Sequence, residues 1–275
     1  MFESPVKVRD LIIFSFFSLI ILSFCFLSTF FDKRTKIVFC DVGQGDAAYI
    51  RIENVFDILI DAGPDKSILS CLGKHMPFWD RKIELAFLSH PNSDHYNGYF
   101  YIAERYKIDR FIVVKSQFIT QSYKKLIKII TNKRIPLSFE VSGDKIKMGN
   151  SQFTLYWPPR NFSSSNDNDF SQVLMFKQNT FRLLFTGDAS SFVLGRLSHK
   201  PIDKIDILKI PHHGSKNGLT KSFLDLADPK VSVISVGKNN PYGHPNQVIL
   251  DMLKAKNINI RRTDEEGDII FRIKN

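Results

Sequence analysis

Short apolar runs recur along most of the chain, and many of them end at a turn that contains polar residues or glycine. Such runs are typical of buried strands, whereas amphipathic segments with helical spacing predict surface helices. The apolar runs predict strands over residues 36–40, 47–52, 56–60, 83–88, 111–114, 137–141, 153–157, 181–185, 205–210, 231–236 and 269–273. The amphipathic segments predict helices over residues 67–75, 98–107, 121–134, 190–198, 220–227 and 246–256. This alternation indicates an α/β protein.

The longest apolar run lies near the N-terminus. Residues 11–31 contain no charged side chain, and basic residues flank the run on both sides. Its length predicts a helix that spans a bilayer once. A cleaved signal peptide is the alternative, but its apolar region is normally shorter and ends at a site of small residues. We expect residues 1–35 to form a membrane anchor and residues 36–275 to form one folded domain. The flanking charges do not decide on which side of the membrane the domain lies.

The densest group of metal-binding side chains follows the predicted strand 83–88. His90, Asn92, Asp94 and His95 lie together in one short polar turn. Imidazole nitrogens combined with carboxylate oxygens suit zinc, manganese or iron, and two such ions can share a carboxylate. Taken alone, the turn also fits an ordinary polar loop.

Two later strands end at turns of the same kind. Asp188 lies just after the predicted strand 181–185, and His212 and His213 follow the next predicted strand. His244 lies on a further turn rich in glycine and proline. Core packing does not explain why the histidines gather in such turns. The chain is therefore predicted to bind one or two divalent metal ions.

Taken in order, six segments resemble the C-terminal metallo-β-lactamase-fold hydrolase domain of ComEC-type competence proteins, which act in DNA uptake. The segments are Asp41-Val42-Gly43-Gln44-Gly45-Asp46, Leu59-Ile60-Asp61-Ala62-Gly63, residues 90–95, Thr186-Gly187-Asp188, Pro211-His212-His213-Gly214-Ser215 and Tyr242-Gly243-His244-Pro245. The resemblance covers the whole chain except its N-terminus. No single segment is specific, but the complete set is highly specific.

The resemblance implies a four-layer αββα sandwich with a hydrolase site at one edge. The metal ligands that it implies are His90, Asp94, His95, Asp188 and one of His212 and His213, with Asn92 at the periphery. The catalytic residues that it implies are Asp94, His244 and Asp46, and the supporting residues are Asp61, Asp41, Asn168, Ser171 and Ser215. From the residues alone, Asp41 and Asp46 fit the capping of turn amides equally well.

The chain departs from the superfamily pattern at two points. Asn92 stands where the loop usually has a second histidine, and no histidine lies between His95 and His199. An amide oxygen is a weak ligand, so the site relies more on oxygen ligands, which suits manganese as well as zinc. The sequence leaves open whether one ion or two are bound.

The charge and the cysteines add two constraints. The formal net charge of +10 would attract polyanions such as DNA or an anionic membrane surface. A general bias of composition towards lysine explains the charge equally well. The 3 cysteines exclude a disulfide framework, although Cys40 and Cys71 are able to pair in an oxidising compartment.

One function is favoured and two alternatives stay open. The favoured function is a membrane-anchored DNA phosphodiesterase, a nuclease that acts during DNA uptake with its domain outside the cytoplasm. The first alternative keeps the metal but changes the substrate to a small phosphoester or a lactam. The second is a non-catalytic DNA-binding or assembly module. Because only one span is predicted, transport of DNA would require a separate membrane channel protein.

Overall fold

The computed structural model describes residues 7–31, of which residues 25–31 are described by their backbone only, and residues 33–274. The elements of the N-terminal half are α1 (Val8–Phe31), β1 (Thr35–Phe39), β2 (Ala48–Ile52), β3 (Phe56–Ile60), α2 (Ser67–His75), β4 (Lys82–Ile83), β5 (Leu85–Phe87), α3 (Ser93–Tyr96), α4 (Gly98–Arg105), β6 (Lys107–Ile108), β7 (Phe111–Val113), α5 (Gln121–Asn132) and β8 (Leu137–Phe139). The elements of the C-terminal half are β9 (Lys145–Met148), β10 (Ser151–Trp157), β11 (Val173–Gln178), β12 (Phe181–Phe185), α6 (Ser191–Leu197), β13 (Ile207–Lys209), α7 (Lys221–Ala227), β14 (Val231–Ile234), α8 (Gln247–Lys254), β15 (Asn259–Arg262), α9 (Thr263–Glu266) and β16 (Ile269–Ile273).

The strands form two large sheets and one small one. The first sheet has the order β16-β1-β2-β3-β5-β7-β8, the second has the order β15-β14-β13-β12-β11-β10-β9, and β4 pairs with β6. Within the first sheet β3 and β5 are parallel, and within the second β12 and β13 are parallel. Neighbouring parallel strands end at the same edge of a sheet, and this edge is where ligand sites of α/β folds usually lie.

The two large sheets pack face to face. The core between them contains apolar side chains from both sheets. The rings of Phe39 and Phe185 lie 5.7 Å apart across this core, and the rings of Phe87 and Phe153 lie 5.4 Å apart. Helices α2, α4 and α5 cover the outer face of the first sheet, while α6, α7 and α8 cover that of the second. The predicted αββα sandwich is therefore confirmed.

Four strands were not predicted from the sequence: β6, β9, β11 and β15. Strands β9 and β15 lie at the two opposite edges of the second sheet, and their side chains are mostly polar and at least partly exposed. Such strands lack the apolar run by which buried strands are recognised. Strand β11 follows the polar loop in a stretch for which the sequence predicts no element, and the two-residue β6 begins at the last residue of the helix predicted over residues 98–107. The turn predicted over residues 262–268 contains one helical turn, α9.

The N-terminal apolar run forms most of helix α1. Its Leu11, Phe14 and Phe17 side chains are exposed. The side chains of residues 25–31, which belong to the predicted span, lie outside the described residues. Across the described part of the chain, no helix combines the length and apolar character required to cross a membrane.

A disulfide links the end of β1 to helix α2. Cys40 and Cys71 form this bond, with their Cα atoms 5.8 Å apart. Both cysteines are buried in the layer between the first sheet and its helices. The bond therefore holds α2 to the sheet beside the loop that carries Asp46.

Candidate metal centre

Asp61 organises the loop that carries the first two histidines. It lies directly after β3 in a left-handed conformation, with a φ of 57°. Its Oδ1 accepts a hydrogen bond from the backbone amide of Ser89 at 2.7 Å, and its Oδ2 accepts one from the hydroxyl of Ser89 at 2.8 Å. The same Oδ2 accepts a hydrogen bond from Nδ1 of His95 at 2.9 Å. One carboxylate thus joins β3 to the turn after β5.

These hydrogen bonds determine which nitrogen of each histidine ring is available to bind a metal. Nδ1 of His95 faces a carboxylate, and Nδ1 of His213 lies 2.9 Å from the carbonyl oxygen of Ser235, so both Nδ1 atoms donate. The hydroxyl of Ser89 already donates to a carboxylate, so it accepts from Nδ1 of His90 at 3.1 Å. In the neutral form of each ring, Nε2 then keeps the lone pair that a metal requires.

Asp188 follows β12 and lies among four imidazole rings. Nε2 of His95 is 3.3 Å from its Oδ1. The Nε2 atoms of His213, His212 and His90 are 3.7, 3.8 and 3.9 Å from its Oδ2. Ligands of both halves of the chain thus meet at this carboxylate.

Asp94 completes a compact group of four possible ligands. Its Oδ2 lies 3.3 Å from Nε2 of His213 and 4.0 Å from Nε2 of His95. Two ligand atoms that each lie about 2.1 Å from a tetrahedral ion are about 3.4 Å apart. The ligand atoms of Asp94, His95, Asp188 and His213 all lie within 4.8 Å of one another, and the His–Asp distances given above are 3.3–4.0 Å. The side chain of Asp94 is 32% exposed, so the group opens to solvent on its side.

Several buried atoms of this centre have no hydrogen-bond partner. They are Nε2 of His90, Nε2 of His95 and Oδ1 of Asp188. An unpaired buried polar atom costs about 1–3 kcal/mol, so these three atoms require partners that the described residues do not supply. Divalent cations bind imidazole nitrogens and carboxylate oxygens and would supply such partners. The residues present therefore fit a metal ion.

The buried carboxylates also favour positive charge at the centre. Burial alone would lower the pKa of His95, but the surrounding carboxylates, with Asp188 the largest contributor, raise it well above its ordinary value. Burial likewise opposes charge on His213, yet Asp188 and Asp46 raise its pKa to about 10. Burial and the nearby His95 lower the pKa of His90 to about 3. In the metal-free protein, protons on His95 and His213 supply charge that a metal ion would replace.

His212 and His213 take different positions although they are adjacent. Both have positive φ angles, 50° and 52°, in the tight turn after β13. His213 is buried and faces Asp94. His212 is partly exposed, and its Nδ1 lies 3.3 Å from Nδ2 of Asn168. His213 thus belongs to the group of four, whereas His212 approaches Asp188 without joining that group.

Lys209 is a residue of the centre that the sequence analysis missed. It is buried at the end of β13, where its Nζ forms an ion pair with Asp46 and donates to the carbonyl oxygen of Gly187 at 3.1 Å. The other oxygen of Asp46 lies 3.4 Å from Nδ1 of His213. Burial opposes ionisation of Asp46, but Lys209 and His213 outweigh burial and lower its pKa. The feature of the sequence that indicates such a role is a lysine in an otherwise apolar strand just before the histidine pair.

Asn92, Asn168 and His244 lie around the opening of the centre. Nδ2 of Asn92 is 3.5 Å from Oδ1 of Asn168, so Asn92 faces a neighbouring loop. The ring centres of His244 and His212 are 5.8 Å apart. Nδ1 of His244 is buried without a hydrogen-bond partner. These three side chains border the group of four ligands and do not belong to it.

Ser171 and Ser215 contact the backbone of the loops that carry ligands. The hydroxyl of Ser171 accepts a hydrogen bond from the backbone amide of Asp188 at 3.2 Å. The hydroxyl of Ser215 accepts one from the backbone amide of Asn217 at 3.3 Å. Ser171 therefore holds the backbone of Asp188, a candidate ligand, whereas Ser215 stabilises the turn after the histidine pair.

The supporting role expected for Asp41 does not match its position. Asp41 is exposed, and its carboxylate accepts a hydrogen bond from the backbone amide of Gly43 at 3.2 Å. Its own backbone amide donates to Asp268 at 2.8 Å. Asp41 thus caps a turn, which is the alternative that the residues alone had left open. Asp41 lies two residues after the end of β1, and its side chain is exposed, whereas Asp46 is buried beside His213.

Comparisons with known proteins were made at the level of sequence and of structure. No family model matches the chain. The chain is 27% identical over 262 residues to ComE operon protein 3 of Bacillus subtilis, which covers 89% of this chain and 34% of that protein. It is 26% identical over 257 residues to Recombination protein 2 of Haemophilus influenzae, which covers 90% of this chain and 31% of that protein. The chain thus spans about a third of the length of these relatives.

Solved structures share the architecture. The metallo-β-lactamase fold protein YhfI of Bacillus subtilis matches with a TM-score of 0.62 and 10% identity, over 87% of this chain and 99% of that chain. This chain has the metallo-β-lactamase fold. Zn²⁺-bound PqqB from Methylobacterium extorquens matches with a TM-score of 0.57 and 10% identity, over 86% of this chain and 99% of that chain. At such identities the structures show the fold alone, while the sequence relatives confirm the resemblance to ComEC-type proteins.

Proposed function

We propose that the chain is a metal-dependent phosphodiesterase that cuts DNA during uptake. The observation that carries the proposal is the group of Asp94, His95, Asp188 and His213, whose ligand atoms face one another at the separations of a bound ion. The name of one relative, Recombination protein 2, refers to recombination and is consistent with DNA as the substrate. The proposed cofactor is manganese or zinc.

Two sets of side chains support the binding of one or two ions. Asp94, His95, Asp188 and His213 would hold one ion. His90 and His212 direct their Nε2 atoms at Asp188 and would contribute to a second, more weakly held ion. A bound ion supplies Lewis acidity, which stabilises charge on a phosphoryl group and makes water a better nucleophile at neutral pH.

In the proposal, side chains at the opening accept the proton of the attacking water and donate a hydrogen bond to the leaving oxygen. Asp94 is the partly exposed carboxylate of the group, and in the proposal it orients the attacking water and accepts its proton. Burial and the neighbouring His212 lower the pKa of His244, so its imidazole is neutral at pH 7. In the proposal, neutral His244 donates a hydrogen bond to the leaving oxygen. Asp46, which Lys209 holds in place, orients His213.

Basic side chains near the opening support a polyanionic substrate. Lys115 and Arg160 line one groove together with Phe139. Ser116 donates to Oδ1 of Asp167 at 3.3 Å, which ties the groove to the loop whose Asn168 contacts His212. Lysine and arginine contacts to phosphates give binding that is independent of base sequence and weakens with salt.

The location is part of the same proposal. In the proposal, α1 attaches the chain to a membrane as a single span that includes residues 25–31, whose side chains lie outside the described residues. The exposed apolar residues of α1 support this attachment. The disulfide between Cys40 and Cys71 supports a domain that lies outside the cytoplasm, because disulfides persist in oxidising compartments. A separate membrane channel protein is the partner proposed for DNA transport.

The test incubates the purified full chain with single-stranded DNA, double-stranded DNA and a chromogenic lactam, in manganese, in zinc or with a chelator. We expect cleavage of DNA that manganese supports and the chelator abolishes. Asp94→Ala should abolish cleavage, while Asp251→Ala, an exposed carboxylate on α8, should leave it unchanged. Turnover of the lactam with intact DNA would reject the nuclease and keep the hydrolase fold.

A further inference from the structure

Three cations lie side by side across the strands at one end of the first sheet. Lys36 on β1 is paired in register with Arg272 on β16 and with Arg51 on β2. Like charges directly opposite each other destabilise a sheet. Arg51 is compensated by Asp57 and by Asp80, which lies 3.0 Å away. Arg272 is exposed, and no ion pair involving it is seen in the described part of the chain. An external anion beside Arg272 would relieve the repulsion between its charge and that of Lys36, whose Nζ donates to the carbonyl oxygen of His75.

These cations line a surface groove of about 340 Å³. Arg34 and Lys74 also line its walls, and Nζ of Lys74 lies 3.5 Å from the carboxylate of Asp268, so its charge is already balanced in part. The described residues that line the groove include no carboxylate. The groove therefore has the charge and the size to receive a phosphate group.

Two exposed aromatic side chains stand at the rim of this groove. Phe78 is 80% exposed, the highest value among the large apolar side chains that the structure describes, and Trp79 is 53% exposed. Their rings contact each other edge to face, with centres 4.9 Å apart. Exposed aromatic rings beside basic residues are typical of protein surfaces that lie at the interface of a bilayer.

The position of the groove in the chain agrees with a location at the interface of a bilayer. Arg34 lies three residues after Phe31, where α1 ends, so the groove is close to the N-terminal helix along the chain. The groove is also at the far end of the strands from the metal centre. Lys36 pairs with Arg51 at one end of β1, whereas Phe39 at the other end lies beside the loop that carries Asp46.

We propose that this face, defined by Arg34, Lys36, Arg272, Phe78 and Trp79, docks on a membrane that contains anionic lipid. Phe78 and Trp79 enter the interface, and the groove binds the phosphate of a lipid headgroup. The metal centre then opens away from the bilayer, towards a substrate that arrives from the aqueous phase. The inference does not rest on the chemistry proposed for that centre.

The test uses the full chain reconstituted into vesicles of phosphatidylcholine, with or without phosphatidylglycerol, whose acyl chains are brominated to quench tryptophan. The chain has 2 tryptophans, and Trp157 is only 3% exposed. Trp157→Phe leaves Trp79 as the reporter, and Trp79→Phe leaves a buried control. If Trp157→Phe does not fold, the quenching of Trp79 is obtained by subtracting the quenching measured in Trp79→Phe from that measured in the unchanged chain.

We expect Trp79 to be quenched in the vesicles with phosphatidylglycerol and Trp157 to be unaffected. Arg272→Gln should lower the ratio of docked to undocked protein about five-fold, the effect of one basic residue near an anionic surface. Lys254→Gln, an exposed cation on α8, is the matched control and should change nothing. Equal fluorescence of Trp79 with and without brominated lipid, or quenching that is as strong in phosphatidylcholine alone, would overturn the proposal.

Discussion

Oδ2 of Asp61 accepts a hydrogen bond from Nδ1 of His95 at 2.9 Å, and this contact turns Nε2 of the ring towards Asp188. The partner of a ligating histidine fixes its tautomer, and loss of such a partner typically costs 10- to 100-fold in metal affinity. Asp61→Asn should therefore weaken manganese or zinc binding by about 10- to 100-fold. Competition with a metal-binding dye measures this change. Asp41→Asn, in an exposed turn, is the control, and equal affinities for the two variants would remove the role given to Asp61.

Substitution of Asp188 should deplete the protein of metal. Four imidazole Nε2 atoms lie within 3.9 Å of its carboxylate, so Asp188→Ala removes the shared ligand of the whole centre. Metal analysis after dialysis should show loss of most of the bound metal. His75→Ala is the control, because His75 lies 3.0 Å from Asp268 in a different part of the domain. Unchanged stoichiometry in Asp188→Ala would contradict the assignment.

Metal binding should release protons and strengthen with rising pH. The pKa of His213 is raised to about 10 in the metal-free protein, so the charged ring stabilises the fold fully below pH 6.5 and loses this contribution as the pH rises through 10. A metal requires the uncharged Nε2, so at pH 7 binding must displace that proton. Calorimetry in buffers of different ionisation enthalpy counts the protons released. Apparent affinity should increase from pH 7 to pH 10, and affinity independent of pH would contradict the raised pKa.

Reduction of the disulfide should destabilise the domain. The bond between Cys40 and Cys71 closes a loop with a sequence separation of 31. Loop-closure entropy for a loop of this length amounts to about 3–4 kcal/mol in the unfolded state. Unfolding by urea, with and without a reductant, measures the difference. The stability of the double variant Cys40→Ala with Cys71→Ala should not change with the reductant. An equal loss of stability in the unchanged chain and in the double variant would show that the disulfide is not the cause.

Two glycines should respond in opposite ways to a methyl group. A Cβ on Gly98 would lie 1.9 Å from the backbone oxygen of Ala62, next to Asp61. Gly98→Ala should therefore lower the free energy of unfolding by about 1–3 kcal/mol or more. Gly73 lies inside α2 with nothing within 4 Å of the added atom, so Gly73→Ala should raise it by up to about 1 kcal/mol. Thermal unfolding of the two variants tests both signs.

The hydrophobic pattern was sufficient for the strands that carry an apolar run. Strands β3 and β12 have the predicted bounds because each is an apolar run that ends at a turn, and β16 has them because its apolar run follows the predicted turn 262–268. Strands β9 and β15 escaped prediction, because pairing with a neighbour at the edge of a sheet, rather than an apolar run, makes them strands. The motif residues identified the fold, since their order along the chain carries more information than any single run.

The geometry of the metal centre depended on tertiary structure. Asp94 and His213 are 119 positions apart in sequence, and only the packing of the two sheets brings them within 3.3 Å. The choice between His212 and His213 depends on backbone angles in one turn and on the partners that each ring meets. Lys209 could not be assigned from an apolar run, because its role is decided by a carboxylate from the other half of the chain.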